Sequence, residues 1–482
     1  MNIVLVFNLT GIVLLFCSGF VLLPFFASFF QKGDDMSALG ISFLATFFAG
    51  LLVYFLTKSQ EEVELKHRDG FAVVTISWLA MSFFASLPYL ISGVTHSFTD
   101  AYFESMAGFT TTGASVFSNL EKFPDGILIW RSLTQWMGGM GIIVFSLAVL
   151  PLLGTGGMQL FKAEVPEIGV EKLRPRIIDM AKSLWYIYAG LTALLALLLM
   201  IAGMDAFDAV CHSFTTMATG GFSTKSASIA YFQNTYVDII ITVFMFLAGA
   251  NFSLHFYALR GNFSRFAKSS EFKFYCMVIF SAIVVVTFNT YNANYTTIQE
   301  SLRYASFQVV SIVTTTGYAT ANYELWPVLS QVSILCLMFL GGMVGSTGGG
   351  MKQVRILLML KQAYREVYHL IHPHAVSALK LDDRNIPKET LGGIWGFLFL
   401  FILIFVIAVL FMSALGVDMI TSASTVVSSM SNVGPALGTA GPAENYAGIP
   451  VAGKWILIFC MLVGRLEIYT VVLLFMPIFW KK

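Results

Sequence analysis

Long uninterrupted apolar runs alternate in this sequence with shorter segments in which small polar residues are sprinkled among apolar ones. Apolar windows fall at residues 1–30, 37–57, 70–93, 126–153, 183–204, 233–258, 274–290, 328–360, 391–415 and 453–480. A helix needs about 20 apolar residues to cross the hydrocarbon core, so this pattern predicts ten spans. The first run has no basic flank ahead of it and is too long for a signal sequence, so it is expected to be retained as a helix. Segments 99–115, 207–223, 300–319 and 419–437 are too short to cross and too apolar for ordinary loops. They are expected to be re-entrant half-helices.

These four segments repeat one another. DAYFESMAGFTTTGAS runs from Asp100 to Ser115 and DAVCHSFTTMATGGFS from Asp208 to Ser223, and they align without a gap. FQVVSIVTTTGYAT from Phe307 and the more divergent STVVSSMSNVGPALG from Ser424 continue the series. Gly113, Gly221, Gly317 and Gly434 fill one slot and lie 108, 96 and 117 residues apart. Internal repetition at such a period marks a repeat architecture. The predicted fold is an all-α polytopic membrane protein with four fused span/half-helix/span repeats around a pseudo-fourfold pore, preceded by two extra spans. The expected units are 1–69, 70–160, 161–270, 271–388 and 389–482.

A threonine-glycine pair after a short half-helix has a physical use. Non-helical backbone at membrane depth is tolerated only where protein or a water-filled path satisfies its polar groups. Carbonyls turned toward such a path can replace the hydration shell of an alkali cation. Glycine accepts the positive φ this turn requires, and the negative C-terminal ends of half-helices favour a cation between them.

Composition agrees with the apolar pattern. Of 482 residues, 57% are hydrophobic and 11% charged, and mean hydropathy is +0.77; soluble domains carry about 25% charged residues. Loops 58–69, 154–182, 259–273 and 352–389 and the C-terminal tail hold 21 of the 28 basic residues, which puts both termini on the cytoplasmic side. A net charge of +1 without a basic stretch gives no support for nucleic-acid binding. Cys17, Cys211, Cys276, Cys336 and Cys460 all lie in apolar segments, which excludes a disulfide framework and a CxxC metal knuckle.

With TTTGA at 110–114, ATGGF at 218–222, TTTGY at 314–318 and SNVGP at 431–435, the sequence resembles the Trk/Ktr/HKT superfamily of potassium transporters. The two extra N-terminal spans resemble its bacterial Trk branch. The resemblance implies a filter of backbone carbonyls from Thr111, Thr112 and Gly113, Thr219, Gly220 and Gly221, Thr315, Thr316 and Gly317, and Asn432, Val433 and Gly434. Glycine in all four slots implies selectivity for the potassium ion. The resemblance further implies a homodimer in the bacterial inner membrane, regulated by a cytosolic ring of TrkA-type nucleotide-binding subunits docked on the 154–182, 259–273 and 352–389 loops. Any nucleotide is then expected on the partner, and no organic cofactor on this chain.

Further features bear on transport. An unbroken helix from Val328 to Tyr364 would be ~55 Å long at 1.5 Å per residue, beyond the hydrocarbon core. It is interrupted by Gly345, Ser346, Thr347, Gly348, Gly349 and Gly350. This run is expected to be a mobile loop gating the path beneath the filter, with a passive kink as the alternative; Met351 stands where a nucleotide-binding GxxxxGK motif needs lysine. Arg465 lies 14 residues from Val451 and 15 from Trp480, near mid-membrane, where a charge needs water or a partner. It is expected to limit cation flow below the filter, the alternative being a pair with a carboxylate of another helix. Glu467 lies on the wrong side of the helix to pair with it. Glu104, His212, Gln308 and Thr425 share one half-helix slot and are expected to brace the filter. His369, His372 and His374 are expected to face lipid headgroups rather than a metal. A proton- or sodium-coupled alternating-access transporter is the rival reading, but it calls for inverted repeats. An enzyme would need an apposed nucleophile and base or metal ligands within the spans, and no such set is visible.

Overall fold

The computed structural model describes residues 1–58, 67–148, 173–375, 378–382 and 384–480. Much of the basic loops 58–69 and 154–182, and Lys481 and Lys482, lie outside the described residues. Among the described residues, six helical segments are long and apolar enough to cross a membrane: Ile3–Phe30, Met36–Leu56, Arg68–Ile91, Asp179–Ile201, Ser270–Thr290 and Lys388–Ala414. Their exposed faces carry residues such as Phe48, Leu52, Phe399 and Leu410, as a surface solvated by hydrocarbon would.

The remaining expected spans depart from simple helices. Thr235–Gly249 and Phe252–Leu259 meet at a bend of 102°, and Val451–Arg465 and Ile468–Phe475 at one of 117°. The continuous passes expected at 233–258 and 453–480 are therefore broken. The expected interruption between Val328 and Tyr364 is longer than the glycine run, because the helix Val328–Met338 ends well before it and helix resumes only over Gln353–Ile371. The helix Asp125–Ala148 is continuous and more polar, burying Arg131, Thr134 and Gln135. Among the described residues, strand is confined to a two-residue ladder, Lys380–Leu381 against Arg384–Asn385.

The N-terminal pair is held by close backbone contact. A Cβ on Gly11 would fall 2.9 Å from Tyr54 N, and one on Gly50 would fall 3.0 Å from Leu15 N. Small residues that let backbones approach are the usual glue between helices in lipid.

The four short segments are half-helices, Phe98–Phe109, Ala206–Met217, Ile298–Val313 and Met419–Ser431. Each begins on a side chain that accepts a backbone N–H of its first turn, from Ser97, Asp205, Thr297 and Asp418 respectively. Such caps satisfy donors that a helix start leaves unpaired. They are largely enclosed by the rest of the fold; every residue from Ala101 to Phe109 is buried.

Candidate functional site

Each half-helix ends in a loop of one repeated conformation. Thr111, Thr219, Thr315 and Asn432 have φ of 50°, 52°, 60° and 56°, and two residues later Gly113, Gly221, Gly317 and Gly434 have φ of 77°, 74°, 80° and 106°. Left-handed residues alternating with right-handed ones keep successive carbonyls on one side of the chain and successive N–H groups on the other. The N–H groups turn back to their own half-helix: Thr112 donates to Ala107 O at 2.9 Å, and Gly220, Thr316 and Val433 donate to Thr215, Ser311 and Ser428 at 2.8 Å each.

The loops close on one another in chain order. A Cβ on Gly113 would lie 2.0 Å from Gly220 O, one on Gly221 1.9 Å from Thr316 O, one on Gly317 1.9 Å from Val433 O, and one on Gly434 2.6 Å from Thr112 O. Residues 113, 221, 317 and 434 are thus glycine for two reasons, positive φ and contact with the next loop's backbone. The ring opens on one side into a cavity of about 270 Å³ lined by all four glycines.

Ten of the twelve carbonyls expected to face an ion meet no protein donor among the described residues, and two are taken. Gly220 O accepts from Gln135 Nε2 at 2.7 Å. Gly220 lacks the side chain that Thr112, Thr316 and Val433 carry in the same slot, and Gln135 fills that space; a Cβ on Gly220 would lie 2.3 Å from Gln135 Cδ. Gly434 O accepts from Ser428 Oγ at 2.9 Å and the Tyr446 hydroxyl at 2.6 Å. Its φ, the furthest of the four from the common value, fits a carbonyl turned away from its three counterparts.

The bracing slot behaves as expected in three repeats. Glu104 accepts from Ser115 Oγ at 2.9 Å and Val116 N at 3.0 Å. His212 Nε2 meets Ser223 Oγ at 3.0 Å, and the Gln308 amide oxygen accepts from Thr320 N at 2.7 Å. Thr425 instead bonds its own helix, at Thr421 O. Its neighbour Ser424 takes over, donating to Leu437 O and accepting from Leu437 N. A threonine on that face reaches only the preceding turn.

Beneath the ring lies the interruption of the third repeat. It is a closed loop rather than a kink, its neck joined where Gly341 N donates to Met351 O at 2.9 Å. Thr347 Oγ1 donates to Met217 O, the C-terminal end of the second half-helix, at 3.0 Å. Gly349 N donates to Thr315 Oγ1 of the third filter loop at 2.7 Å, and a Cβ on Gly349 would lie 2.5 Å from Ser431 O of the fourth half-helix. The loop therefore touches three of the four repeats directly under the ring. The break at Gly249–Asn251 supplies its other partners: Met343 N and Thr347 N donate to Gly249 O and Ala248 O, and Phe252 N donates to Gly345 O. A weakly held loop was expected; it is extensively hydrogen-bonded, with Ser346 and Thr347 buried. Gly249, Ala250 and Asn251, with Asn251 capping the following helix, was the sequence signal for the unforeseen break.

Arg465 sits beside this loop at the end of its own broken helix and is buried. Among the described residues it pairs with no carboxylate. Its Nη1 donates to Thr347 O at 2.7 Å and its Nη2 to Gly138 O at 3.1 Å. Glu467, with φ 64°, points elsewhere and meets Arg355 Nη2 at 2.6 Å. Lys352 Nζ donates to Gly348 O. His372 and His374 are exposed beyond the end of the helix Gln353–Ile371.

A profile of the TrkH family, described as cation transport proteins, matches residues 37–482. The chain belongs to the TrkH family. The Trk system potassium uptake protein TrkH of Escherichia coli K12 is 41% identical over 98% of this chain and 99% of its own length. That of Halomonas elongata is 41% identical over the whole of both chains, and the E. coli K12 TrkG protein is 33% identical over 95% of each. The crystal structure of the potassium transporter TrkH from Vibrio parahaemolyticus superposes with a TM-score of 0.92, at 37% identity over all of both chains. The chain is accordingly a multi-pass membrane protein of a cation-transport family.

Proposed function

We propose that this protein takes up potassium ions across the bacterial inner membrane, through a filter formed by the four loops and closed by the loop beneath them. The observation that carries this reading is the repeated left-handed, right-handed, left-handed conformation at equal register in four loops that meet in a closed ring. Ten unclaimed carbonyls around one axis, at the C-terminal ends of four half-helices, form a site for a desolvated cation. Thr111, Thr112, Gly113, Thr219, Gly221, Thr315, Thr316, Gly317, Asn432 and Val433 supply them; Gly220 and Gly434 join only if their carbonyls leave their protein donors. The names of the relatives favour potassium as the ion.

Residues 345–350 act as the gate and Arg465 as its latch. The loop fills the space beneath the filter, and its hydrogen bonds keep it there until helix Gln353–Ile371 is pulled away. A cytosolic ring of nucleotide-binding subunits, docking on the basic loops of a homodimer whose termini are cytoplasmic, supplies that pull. A few kcal/mol of differential binding suffices to shift such an equilibrium. The test is bi-ionic current across planar bilayers holding the full chain, with potassium on one side and sodium on the other. A reversal potential at the potassium-selective limit is expected, and equal permeation of both ions overturns the filter assignment.

A further inference from the structure

Arg131, in the second turn of helix Asp125–Ala148, is one of the largest fully buried side chains. Its Nε and Nη2 donate to Glu104 Oε1 at 2.9 and 2.6 Å, and both side chains are almost wholly removed from solvent. Glu104 in turn holds Ser115 and Val116, just past the first filter glycine. The third guanidinium nitrogen, Nη1, crosses to the second repeat and donates to Ser223 O at 3.0 Å, with the guanidinium 4.2 Å over the Phe222 ring. One turn further along the same helix, Gln135 donates to Gly220 O and accepts from Phe222 N at 3.0 Å. A single helix of the first repeat therefore grips the second filter loop on both sides of Gly221, while its arginine is anchored to the first loop through Glu104.

The other three seams also carry ion pairs, Arg303–Asp238, Arg355–Glu467 and Lys454–Asp100, but among the described residues none of these hydrogen-bonds a filter loop, and beside the loops those seams are crossed by neutral groups. The Tyr318 and Thr215 hydroxyls meet between the second and third repeats. The Tyr323 hydroxyl donates to Ala436 O at 2.9 Å between the third and fourth, and Tyr446 N donates to Ser115 O at 2.9 Å between the fourth and first. The seam between the first and second repeats differs in chemistry as well. The second loop carries glycine at 220 where its counterparts carry Thr112, Thr316 and Val433, so it has the least side-chain packing of its own. An ion pair removed from water is costly unless its geometry and remaining hydrogen bonds are good. Here the pair's other hydrogen bonds, to Ser115, Val116 and Ser223, go to the two filter loops.

We propose that Arg131, acting with Glu104 and Gln135, is a positioning residue for potassium selectivity, fixing the distance between the first and second filter loops. This rests on the filter reading above. Selectivity in a ring of carbonyls depends on ligand number, spacing and field strength. Loosening one seam lets two of the four loops relax around a smaller cation.

The test measures potassium-over-sodium permeability ratios from bi-ionic reversal potentials, with KCl and NaCl across bilayers containing full-length protein. Glu104→Gln/Arg131→Gln removes both charges together, leaves no unpaired charge in the interior, and is expected to lower the ratio about fivefold. Arg131→Lys keeps the charge beside Glu104 but cannot reach Ser223 O as well, and is expected to lower it about twofold; it decides the matter if the double variant does not fold. Gln135→Met, which frees Gly220 O, is expected to shift the ratio in the same direction. A double or Lys variant that folds and keeps the parental ratio makes the cluster a structural strut and overturns the proposal. So does a rise in conductance at unchanged ratio, which would make Arg131 a source of repulsive field. Gly221→Ser in the same bilayers reads the filter itself. If it alone shifts the ratio, the positioning role fails and the filter stands; if no variant shifts it, the filter reading falls too.

Discussion

The four filter loops and the loop at 340–351 are both irregular, glycine-rich backbone inside the membrane, and they dispose of their polar groups in opposite ways. The filter loops send their N–H groups back to their own half-helices and leave ten carbonyls without a protein partner among the described residues. The lower loop gives its N–H groups and carbonyls to the scaffold, at Gly249, Ala248, Thr315, Glu271 and Arg465. Backbone in a low-dielectric interior must be satisfied by something. On the proposed reading, the segment that protein satisfies blocks the path, and water or a permeating ion completes the shell where protein does not.

The sharpest way to break this contrast is to remove the blocking backbone. Deleting residues 346–349 leaves the Gly341–Met351 neck in place while removing the contacts to Met217, Thr315 and Arg465. Potassium flux into proteoliposomes without the cytosolic partner should rise about a hundredfold or more, with unchanged potassium-over-sodium selectivity. A variant that inserts and conducts no faster than the parent would place the gate elsewhere.

Arg465→Ala should raise partner-free flux about thirtyfold, since one charge-assisted hydrogen bond of roughly 2 kcal/mol net, from Arg465 to Thr347 O, holds the loop and a positive charge leaves the path. Thermal stability measured alongside separates this from simple loss of structure, which would lower stability without any gain in flux.

Gly113→Ser tests the other half of the contrast. The new Cβ would meet Gly220 O at 2.0 Å from a residue at φ 77°, so the first and second loops must part. The potassium-over-sodium permeability ratio should fall about tenfold, and an unchanged bi-ionic reversal potential would remove this loop from the filter. Thr347→Val is the mildest probe. It deletes one hydroxyl bonded to Met217 O and Ala248 O and leaves the loop backbone intact. One neutral hydrogen bond is worth about 0.5–1.5 kcal/mol, so partner-free flux should rise only about threefold, and a rise as large as that of the deletion would mean the hydroxyl alone holds the gate.

Much of this site was legible in one dimension because its requirements are local. A positive φ selects glycine, a half-helix needs a cap and about a dozen residues, and a span needs a continuous apolar run, so the four slots at 113, 221, 317 and 434 could be aligned by eye. The bracing slot was equally readable, because a side chain on the last turns of a half-helix reaches a fixed distance past the loop. That reading failed only at Thr425, where a short side chain found its own helix first.

Other features depended on partners in other repeats. Nothing near Gly249 shows that its carbonyl will be met by Met343 N, or that the helix can therefore afford to break. Arg465 declared itself as a buried charge, but the choice of Thr347 and Gly138 carbonyls over a carboxylate belongs to the packing of three repeats. Arg131 was visible as a charge in a span, and its bridge from Glu104 to Ser223 was not. By itself the sequence determined the spans, the half-helices and the glycine register, since hydrophobic length and backbone sterics act within a few residues. Tertiary structure alone decided the order of the ring, the breaks in two spans, and which polar groups are satisfied by protein and which are left for an ion. Those outcomes turn on which backbone groups meet across the fold.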